Sequence, residues 1–371
     1  LMQSMNKNKI CSSLLNNVEV LNTKNFKKVF IFSKNFNKTK QFLKNFKYSY
    51  IPYRFASCFY LPIDSDDLAI LSQQNDVVFI QENLCVQSQN LEQDFMNLSA
   101  LSENKFFGQN QTICFIDTGI HPHFDFVFPK NKVIKFIDLI SNKTTPYDDN
   151  GHGTFVAGVC SGGGIFSSTN KGIAPLSNII SIKALGKSGD SNSNVILDAM
   201  QWVYENHKAY NISVVCMSFG AEANEKFDPL SSGAEALWKA GITVVAAAGN
   251  SGPNENSIKS PGNNPYVITV GALDIKNFQV ADFSSRGPTI YGHKPDLLAP
   301  AVDIISCNNK FLPYTQMSGT SVATPIIAGV CAIIKSKFPN ITNNEIKKFL
   351  LSHCTKITGN IDTEGAGFLK F

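Results

Sequence analysis

From about residue 111 onward, short continuous apolar runs alternate with longer stretches in which apolar residues recur every three or four positions. Apolar runs without polar alternation are typical of strands in a parallel sheet that helices cover on both faces. The pattern predicts strands at 112–116, 179–182, 214–217, 243–246 and 267–270. It predicts helices at 153–160, 193–207, 231–240 and 322–335. The larger part of the chain is therefore expected to be an α/β domain with a mostly parallel sheet.

Residues 1–89 show a different pattern. It predicts strands at 28–32, 55–61 and 77–80 and helices at 37–46 and 64–73. The second of these helices begins with acidic residues, which suit the positive end of the helix dipole. A βαββαβ-like order within so short a segment predicts a small α+β domain. Residues 90–107 are largely polar and are predicted to be a linker, so that the α/β domain spans residues 108–371.

Composition excludes several classes of protein. The net charge is +4 over 371 residues, which is too small for the basic surface of a nucleic-acid or membrane-surface binder. Hydrophobic residues make up 43% of the chain, which is too many for a disordered protein. The apolar run at 326–334 is shorter than the roughly 18 residues that a membrane span needs. We expect neither nucleic acid nor a membrane among the partners.

The nine cysteines include no CxxC pair, and several of them lie in apolar runs such as 214–217. This favours buried free thiols over a disulfide framework or a zinc site. No apolar segment with a small-residue cleavage site follows the polar, basic N-terminus. Both features favour a cytoplasmic location. Because the chain begins with Leu1, a leader removed before that residue stays open, and with it a secreted or spore-associated location.

Three polar residues stand where a predicted strand ends or a predicted helix begins. Asp117 follows the first strand, His152 opens the first helix, and Ser321 lies in a glycine-containing turn before the apolar helix. Open α/β sheets place their sites at such positions. A serine hydroxyl becomes a nucleophile when a base takes its proton and a carboxylate holds that base in the right tautomer. The three side chains supply these roles, and the Ser321 N–H and the Asn250 side-chain amide are candidate donors to an oxyanion.

Taken one at a time, these residues have simpler explanations. An aspartate before Thr-Gly is more often part of a turn, and Gly-Thr-Ser is a common loop sequence. A single histidine is more often structural, and that interpretation is kept for His121, His123, His207, His293 and His353. The combination of all the segments, in this order and with these flanks, is what favours a catalytic site.

Four segments resemble the signature motifs of the subtilisin-like serine proteases. They are Asp-Thr-Gly-Ile at 117–120, Asn-Gly-His-Gly-Thr at 150–154, Ala-Ala-Gly-Asn at 247–250 and Gly-Thr-Ser-Val-Ala-Thr-Pro at 319–325. The chain order Asp, His, Ser also matches this family and differs from that of the α/β-hydrolases. The resemblance covers about residues 108–345 and implies a three-layer α/β/α domain. It implies that Asp117 orients the base, His152 is the general base, Ser321 is the nucleophile and Asn250 is an oxyanion donor.

The N-terminal segment resembles the inhibitory propeptide of that family, which acts as a folding chaperone and a product-like inhibitor. The resemblance lies in the order of strands and helices and in the ending at 76–83. Aligned with the propeptide pattern, this ending places a self-cleavage junction near Gln89. The resemblance therefore implies a zymogen that cleaves itself, with its own propeptide and protein or peptide substrates as partners.

In this family, two segments form the walls of the pocket for the residue before the scissile bond. Here they correspond to Ser218, Phe219 and Gly220 and to Ala247, Ala248 and Gly249. The position at the pocket floor, commonly glycine, is Lys259. If its ammonium points inward, it favours acidic or amide side chains such as Glu or Gln. If it extends into solvent, it has no such effect, and the sequence leaves both orientations open.

Secreted members of the family often carry an Asn-rich calcium loop soon after the helix that His152 opens. The corresponding stretch, residues 161–170, contains no carboxylate. A hard cation prefers several oxygen ligands, usually with some charge. We predict no metal at this loop and no required cofactor, while calcium at other loops stays open.

The sequence thus predicts a serine endopeptidase that is made as a zymogen. A non-catalytic regulatory or binding protein of the same fold, plugged by its propeptide, is the alternative from another class. Use of the same machinery for acyl transfer or ester hydrolysis is a third alternative.

Overall fold

The structure, a computed structural model, describes residues 5–10, 12–16, 26–46, 48–53, 58–82, 106–223 and 228–369. The chain divides into two units, Leu1–Ser88 and Gln89–Phe371. The predicted junction at Gln89 and nearly all of the predicted linker lie outside the described residues.

The N-terminal unit is built on an antiparallel sheet. Its strands are β1 (Lys27–Ser33), β2 (Ile51–Tyr53), β3 (Cys58–Ile63) and β4 (Val77–Glu82), and its helices are α1 (Ser12–Asn16), α2 (Phe36–Leu43) and α3 (Ser65–Gln73). The strand order in the sheet is β2-β3-β1-β4. From β1 to β4 the elements follow the predicted βαββαβ order, and the predicted α+β domain is confirmed.

One face of this small sheet is covered. Val29, Ile31 and Phe59, at alternate positions of β1 and on β3, are fully buried in one core, as expected for strands with a single covered face. A capping box starts α3, because Asp64 accepts a hydrogen bond from the N–H of Asp67 and Asp67 accepts one from the N–H of Asp64.

The larger unit contains the parallel sheet. Its strands are β5 (Thr112–Asp117), β6 (Val133–Asp138), β7 (Asn178–Lys183), β8 (Ile212–Met217), β9 (Thr243–Ala247), β10 (Ile268–Asp274), β11 (Gln279–Val280), β12 (Leu297–Pro300), β13 (Ile304–Cys307), β14 (Tyr314–Met317), β15 (Cys354–Thr355) and β16 (Phe368–Leu369). The main sheet has the order β15-β16-β12-β10-β9-β8-β5-β7-β6, and β11 pairs with β10. Only β15 and β11 run antiparallel to their neighbours in it, while β13 and β14 form a separate antiparallel pair. The predicted mostly parallel sheet is confirmed.

Helices cover this sheet. They are α4 (Phe124–Val127), α5 (His152–Ser161), α6 (Ser193–Asn206), α7 (Pro229–Lys239), α8 (Thr320–Lys337), α9 (Asn343–Ser352) and α10 (Ile361–Glu364). α5 packs against α8, and α6 packs against α7. Because β5 and β8 are buried along their whole length, helices must cover both faces of the sheet. The predicted three-layer α/β/α arrangement is confirmed.

The apolar helix α8 lies deepest in the molecule, and nearly every residue from 320 to 334 is buried. It begins two residues before the predicted start. Pro325, which the predicted start places in the first turn, therefore lies in the second turn. Since proline has no N–H, it donates no helical hydrogen bond to the Ser321 carbonyl.

The three central strands define one functional edge. β5, β8 and β9 are parallel neighbours, so their last residues, Asp117, Met217 and Ala247, face the same edge of the sheet. The carboxyl edge of a parallel sheet is where ligands of open α/β folds bind. This edge therefore carries the segments that the sequence analysis selected.

The cysteines that the structure places are free thiols. Cys114, Cys160, Cys216, Cys307 and Cys331 are buried, and Cys354 is half-buried, which confirms the predicted free thiols at these positions. Within the part of the chain that the structure describes, no helix has both the length and the apolar character needed to span a membrane.

Candidate active site

A buried carboxylate holds a histidine at the edge of the sheet. Asp117 is the last residue of β5, and His152 is the first residue of α5. The His152 Nδ1 lies 2.7 Å from Asp117 Oδ1, and the two side chains are 26% and 2% exposed. Because a carboxylate only accepts hydrogen bonds, Nδ1 carries the proton and Nε2 is left with the lone pair. This arrangement leaves Nε2 available as a base.

The pKa of His152 is raised above its ordinary value. Burial by itself lowers this pKa, because it penalises the charged imidazolium. The charge of Asp117, its hydrogen bond and the charge of Asp148 favour the imidazolium and outweigh burial. The site therefore stabilises the proton that a general base has to accept.

Asp148 joins the strand end to the helix start. Its Oδ1 accepts hydrogen bonds from the Thr118 hydroxyl at 2.9 Å and from the N–H of Gly151 at 2.8 Å. Its Oδ2 accepts from the N–H and the hydroxyl of Thr154 at 2.9 and 2.7 Å. The Thr118 hydroxyl in turn accepts from the N–H of Gly153 at 2.8 Å. This buried network fixes the turn that carries His152 relative to Asp117.

A buried lysine supports the same strand end. Lys183 is fully buried, and its Nζ donates to the carbonyls of Thr118 and Leu185 at 2.6 and 3.1 Å. It also forms an ion pair with Asp149 at 2.7 Å. A buried ammonium needs such partners because its desolvation is costly. Lys183 thus links the segment after Asp117 to the turn before His152.

Ser321 and Asn250 meet at the start of α8. The Asn250 Oδ1 accepts hydrogen bonds from the N–H and the hydroxyl of Thr320, both at 2.9 Å. Since Oδ1 is occupied, Nδ2 is the end of the amide that remains to donate. A Cβ on Gly319 would lie 3.1 Å from Ser321 Oγ and 3.3 Å from Asn250 Nδ2, so both groups face the space beside this glycine. The hydroxyl and the amide are therefore placed to act on the same chemical group.

The helices that carry His152 and Ser321 at their N-terminal ends, α5 and α8, pack against each other. The structure thus brings the four predicted residues, Asp117, His152, Asn250 and Ser321, to one region of the molecule.

A pocket of about 200 Å³ adjoins the hydroxyl and the amide. Its lining residues are Ser218, Phe219, Gly220, Ala247, Gly249, Asn250, Ser251, Lys259, Thr320 and Ser321. Ala248, which the sequence analysis places in the wall, is not among them. Its side chain is buried, and its carbonyl accepts a hydrogen bond from the N–H of Lys259 at 2.9 Å.

The sequence analysis left two orientations of Lys259 open, inward and into solvent, and the structure lies between them. Its side chain lines the pocket and is 16% exposed, so it does not extend freely into solvent. Its Nζ forms an ion pair with Glu222, whose side chain is 73% exposed. The lysine therefore lines the pocket with its stem, and its ammonium already has a counter-ion on the solvent side.

The stretch at 161–170 does not fit the calcium site that the family resemblance raises. The buried Asp125 carboxylate accepts hydrogen bonds from the N–H groups of Gly164 and Ile165 at 2.8 and 3.1 Å. Both of its oxygens also lie 3.1 Å from the Tyr314 hydroxyl. The carboxylate thus holds this loop directly, with its oxygens engaged by protein donors.

A second candidate for metal binding is equally unsuitable. Among the described residues, His123, Asp125 and Cys307 come close enough together to hold an ion. However, the Nε2 of His123 lies 2.7 Å from the Pro313 carbonyl, and Nδ1 accepts from the N–H of Asp125 at 3.1 Å. Burial raises the pKa of the Cys307 thiol well above its ordinary value, which opposes the thiolate that a metal needs. The donor set is already committed to hydrogen bonds.

Several contributors are not evident from sequence. Asp148 has a local signal, since the Asp-Asp-Asn-Gly run at 148–151 suggests a turn, but nothing in the sequence indicates its bond to Thr118. The position of Thr320 beside Asn250 and that of Glu222 beside Lys259 both depend on segments that are distant in the chain.

Comparison with known proteins agrees with this geometry. A family model described as the subtilase family, peptidase S8, matches residues 108–368, which is more than half of the chain. Serine protease AprX of Bacillus subtilis (strain 168) is 43% identical over 271 residues, a match covering 66% of this chain and 61% of AprX. Subtilisin E of the same organism is 32% identical over 280 residues, covering 73% of this chain and 67% of subtilisin E.

Solved structures give the same result. The S41 psychrophilic protease superimposes with a TM-score of 0.65 at 29% identity, covering 71% of this chain and 92% of that structure. The chain spans about six tenths of the length of AprX. From its motifs, its fold and the extent of the family match, the chain belongs to the subtilase family.

Proposed function

We propose that the protein is a serine endopeptidase that hydrolyses peptide bonds through an acyl-enzyme. The observation that carries this proposal is the hydrogen bond from His152 Nδ1 to the buried Asp117, at the sheet edge where Ser321 also lies. It leaves Nε2 as the base that a serine nucleophile requires. Subtilase relatives named as proteases support the same activity.

The reaction follows from the groups in place. Ser321 Oγ attacks the peptide carbonyl while His152 Nε2 takes its proton, and Asp117 stabilises the resulting imidazolium. The negative charge on the carbonyl oxygen is stabilised by Asn250 Nδ2 and by the N–H of Ser321 at the start of α8. His152 then gives its proton to the leaving amine, and water repeats the sequence on the acyl-enzyme.

No metal or cofactor is needed for these steps, because the attack, the proton transfers and the charge stabilisation all use protein groups. The engaged oxygens of Asp125 support the proposal that no calcium binds at 161–170.

We further propose that the N-terminal unit is a propeptide that the enzyme removes by cutting near Gln89. Support comes from its separate core and from the boundary between the two units, which falls between Ser88 and Gln89. A product-like inhibitor has to end where the cut occurs, and this boundary agrees with that requirement.

The non-catalytic alternative gains no support from the comparisons, since the relatives reported above are named as a serine protease and a subtilisin. Ester hydrolysis by the same machinery is distinguished by product analysis, since peptide hydrolysis releases an amine and ester hydrolysis releases an alcohol.

The test is intact mass and N-terminal sequencing of the purified chain beside its Ser321→Ala variant. The expected result is a cut near Gln89 and hydrolysis of a fluorogenic peptide in the wild type, with both lost in Ser321→Ala. Ser352→Ala, which changes an exposed serine on α9, is the matched control and is expected to behave as the wild type. If the wild type stays intact and hydrolyses no peptide, the proposed activity is wrong.

A further inference from the structure

The pocket beside Ser321 is lined by one member of an ion pair, Lys259, that the mechanism above does not use. Among the described residues that line it, Lys259 is the one that carries a charge. The other lining groups are apolar side chains, glycines, hydroxyls and the Asn250 amide. A single ammonium beside such a pocket selects by charge, because a charge-assisted hydrogen bond is stronger than a bond between neutral groups.

Lys259 is mounted rigidly between the two walls of the pocket. Its N–H donates to the Ala248 carbonyl at 2.9 Å. The next residue, Ser260, exchanges two hydrogen bonds with Ala221, both at 2.9 Å. The backbone at the pocket floor is therefore joined to both walls.

The stem of Lys259 occupies space that two glycines leave free. A Cβ on Gly220 would lie 2.5 Å from Lys259 Cβ, and a Cβ on Gly249 would lie 2.5 Å from Lys259 Cγ. The lysine stem thus passes between the two wall segments. Any larger residue at either glycine would collide with it.

The present partner of the ammonium is easily displaced. Glu222 is 73% exposed while Lys259 is 16% exposed, so the carboxylate approaches from the solvent side. Ion pairs with so exposed a partner contribute little, because water competes for the carboxylate. Returning Glu222 to water therefore costs little.

A carboxylate that enters from the substrate side meets a lysine whose side chain is only 16% exposed. Charge-assisted hydrogen bonds are stronger than neutral ones, and exclusion of water strengthens them further. An amide oxygen makes only the weaker bond. A lysine or arginine side chain brings a second positive charge close to Lys259.

We infer that Lys259 makes the pocket select an acidic residue immediately before the scissile bond, and that Glu222 is an internal occupant which the substrate carboxylate displaces. This inference rests on the proposed endopeptidase activity, because that activity is what brings a peptide side chain into the pocket.

Peptides that differ only in the residue before the scissile bond, Glu, Gln, Leu or Lys, provide the first test. The wild type is expected to prefer Glu over Gln and Leu by about tenfold or more in kcat/KM. Lys259→Met keeps the apolar stem but removes the charge, and is expected to abolish that preference. Glu222→Gln removes the competing carboxylate and is expected to increase the preference several-fold at low salt.

A matched control separates the pocket from general effects of lysine removal. Lys276→Met removes a different lysine, which pairs with Asp303 and lies outside the pocket. Its Glu:Leu ratio is expected to equal that of the wild type. A wild type that prefers Leu or Lys, or a Lys259→Met variant with an unchanged ratio, overturns the inference and leaves the endopeptidase activity standing.

Binding gives a test that does not require turnover. Peptides that end in Glu, Gln or Leu resemble cleavage products and can be titrated calorimetrically into the purified wild type, freed of its N-terminal unit where it has cut itself. The Glu peptide is expected to bind about tenfold more tightly than the Leu peptide, and the difference is expected to vanish when Lys259→Met is added. Equal or weaker binding of the Glu peptide overturns the inference. If the Glu peptide binds selectively but the wild type hydrolyses no peptide, the selectivity of the pocket stands and the proposed endopeptidase activity is rejected.

Discussion

At the scale of single residues, His152 shows how a fold sets the chemistry of one side chain. Burial disfavours its charged form, while Asp117 and Asp148 favour it, and the net effect is a raised pKa. In the proposed mechanism the base works in its neutral form, so we expect activity to rise with pH as His152 loses its proton. A raised pKa moves this rise to higher pH than an ordinary histidine, near pH 6.5, would give.

Asp117→Asn tests this account. The amide carries no charge and favours the wrong tautomer, so we expect kcat to fall by about 10⁴-fold, as in a comparable serine-protease triad. The midpoint of the residual pH–rate profile is expected to move to lower pH, because the main group that raises the pKa is gone. Measurement of kcat/KM from pH 5 to pH 9 checks both results.

Asp198→Asn is the control, since Asp198 is exposed on α6. It is expected to leave both the rate and the midpoint unchanged. A midpoint in Asp117→Asn at or above that of the wild type contradicts the assignment of Asp117 as the main cause of the raised pKa.

At the scale of elements, the buried Asp148 carboxylate makes several of the bonds that fix α5 relative to β5. Asp148→Asn keeps one accepting oxygen but presents an amide NH₂ group to donors such as the N–H of Thr154 or Gly151. Unsatisfied buried donors cost about 1–3 kcal/mol each, so the free energy of unfolding is expected to fall by at least that amount. Urea unfolding measures this change.

The same variant is expected to lower kcat by more than it raises KM, because it displaces His152 and leaves the substrate pocket intact. Loss of stability with an unchanged kcat means that Asp148 stabilises the fold without positioning the base.

The loop at 161–170 gives a second prediction at this scale. Asp125→Asn removes one of the two oxygens that hold Gly164, Ile165 and Tyr314, and it is expected to cost about 1–3 kcal/mol of stability. If this carboxylate acts only through hydrogen bonds, the loss of Tm is the same in calcium as in a chelator. A larger loss in calcium shows that Asp125 is a metal ligand. Comparing the two media cancels the effect of calcium bound elsewhere.

At the scale of the whole molecule, the order of strands explains why a separate unit is expected to assist folding. In the main sheet Thr112 pairs with Asn178 on one side and with Ile212 on the other. Parallel neighbours so far apart in the chain have to pay a large loop-closure entropy before their contacts form. Sheets of this kind fold slowly, and a folding template can accelerate a slow folding step.

We therefore expect residues 89–371 to refold slowly from denaturant, and residues 1–88 added in trans to accelerate refolding several-fold. Near-UV circular dichroism on the Ser321→Ala background follows this without digestion of the added segment. Leu61→Asp in residues 1–88 breaks the small core and is the matched control, since Leu61 is fully buried. Equal rates with the intact and the broken segment reject the chaperone role.

Elements with a strong local pattern were predictable from the sequence, and those without one were not. The central strands are buried throughout, so they appear as apolar runs such as Val214 to Met217. β6 was not predicted because Lys135 interrupts its apolar residues, which an edge strand with only its last residue buried tolerates. α8 starts earlier than predicted because Gly319 and Thr320 form its first bonds in a turn whose residues are not apolar.

The sequence alone predicted the fold class and selected Asp117, His152, Asn250 and Ser321 as the proposed catalytic residues, because short motifs at strand ends and helix starts record local structure directly. Only the tertiary structure decided which groups support them. The Asp148 network, the bonds from Thr320 to Asn250 and the pairing of Lys259 with Glu222 join segments that are up to 70 residues apart. Packing and the need to satisfy buried polar groups determine which residues become partners of this kind. Local sequence patterns indicate neither the packing nor the buried hydrogen bonds.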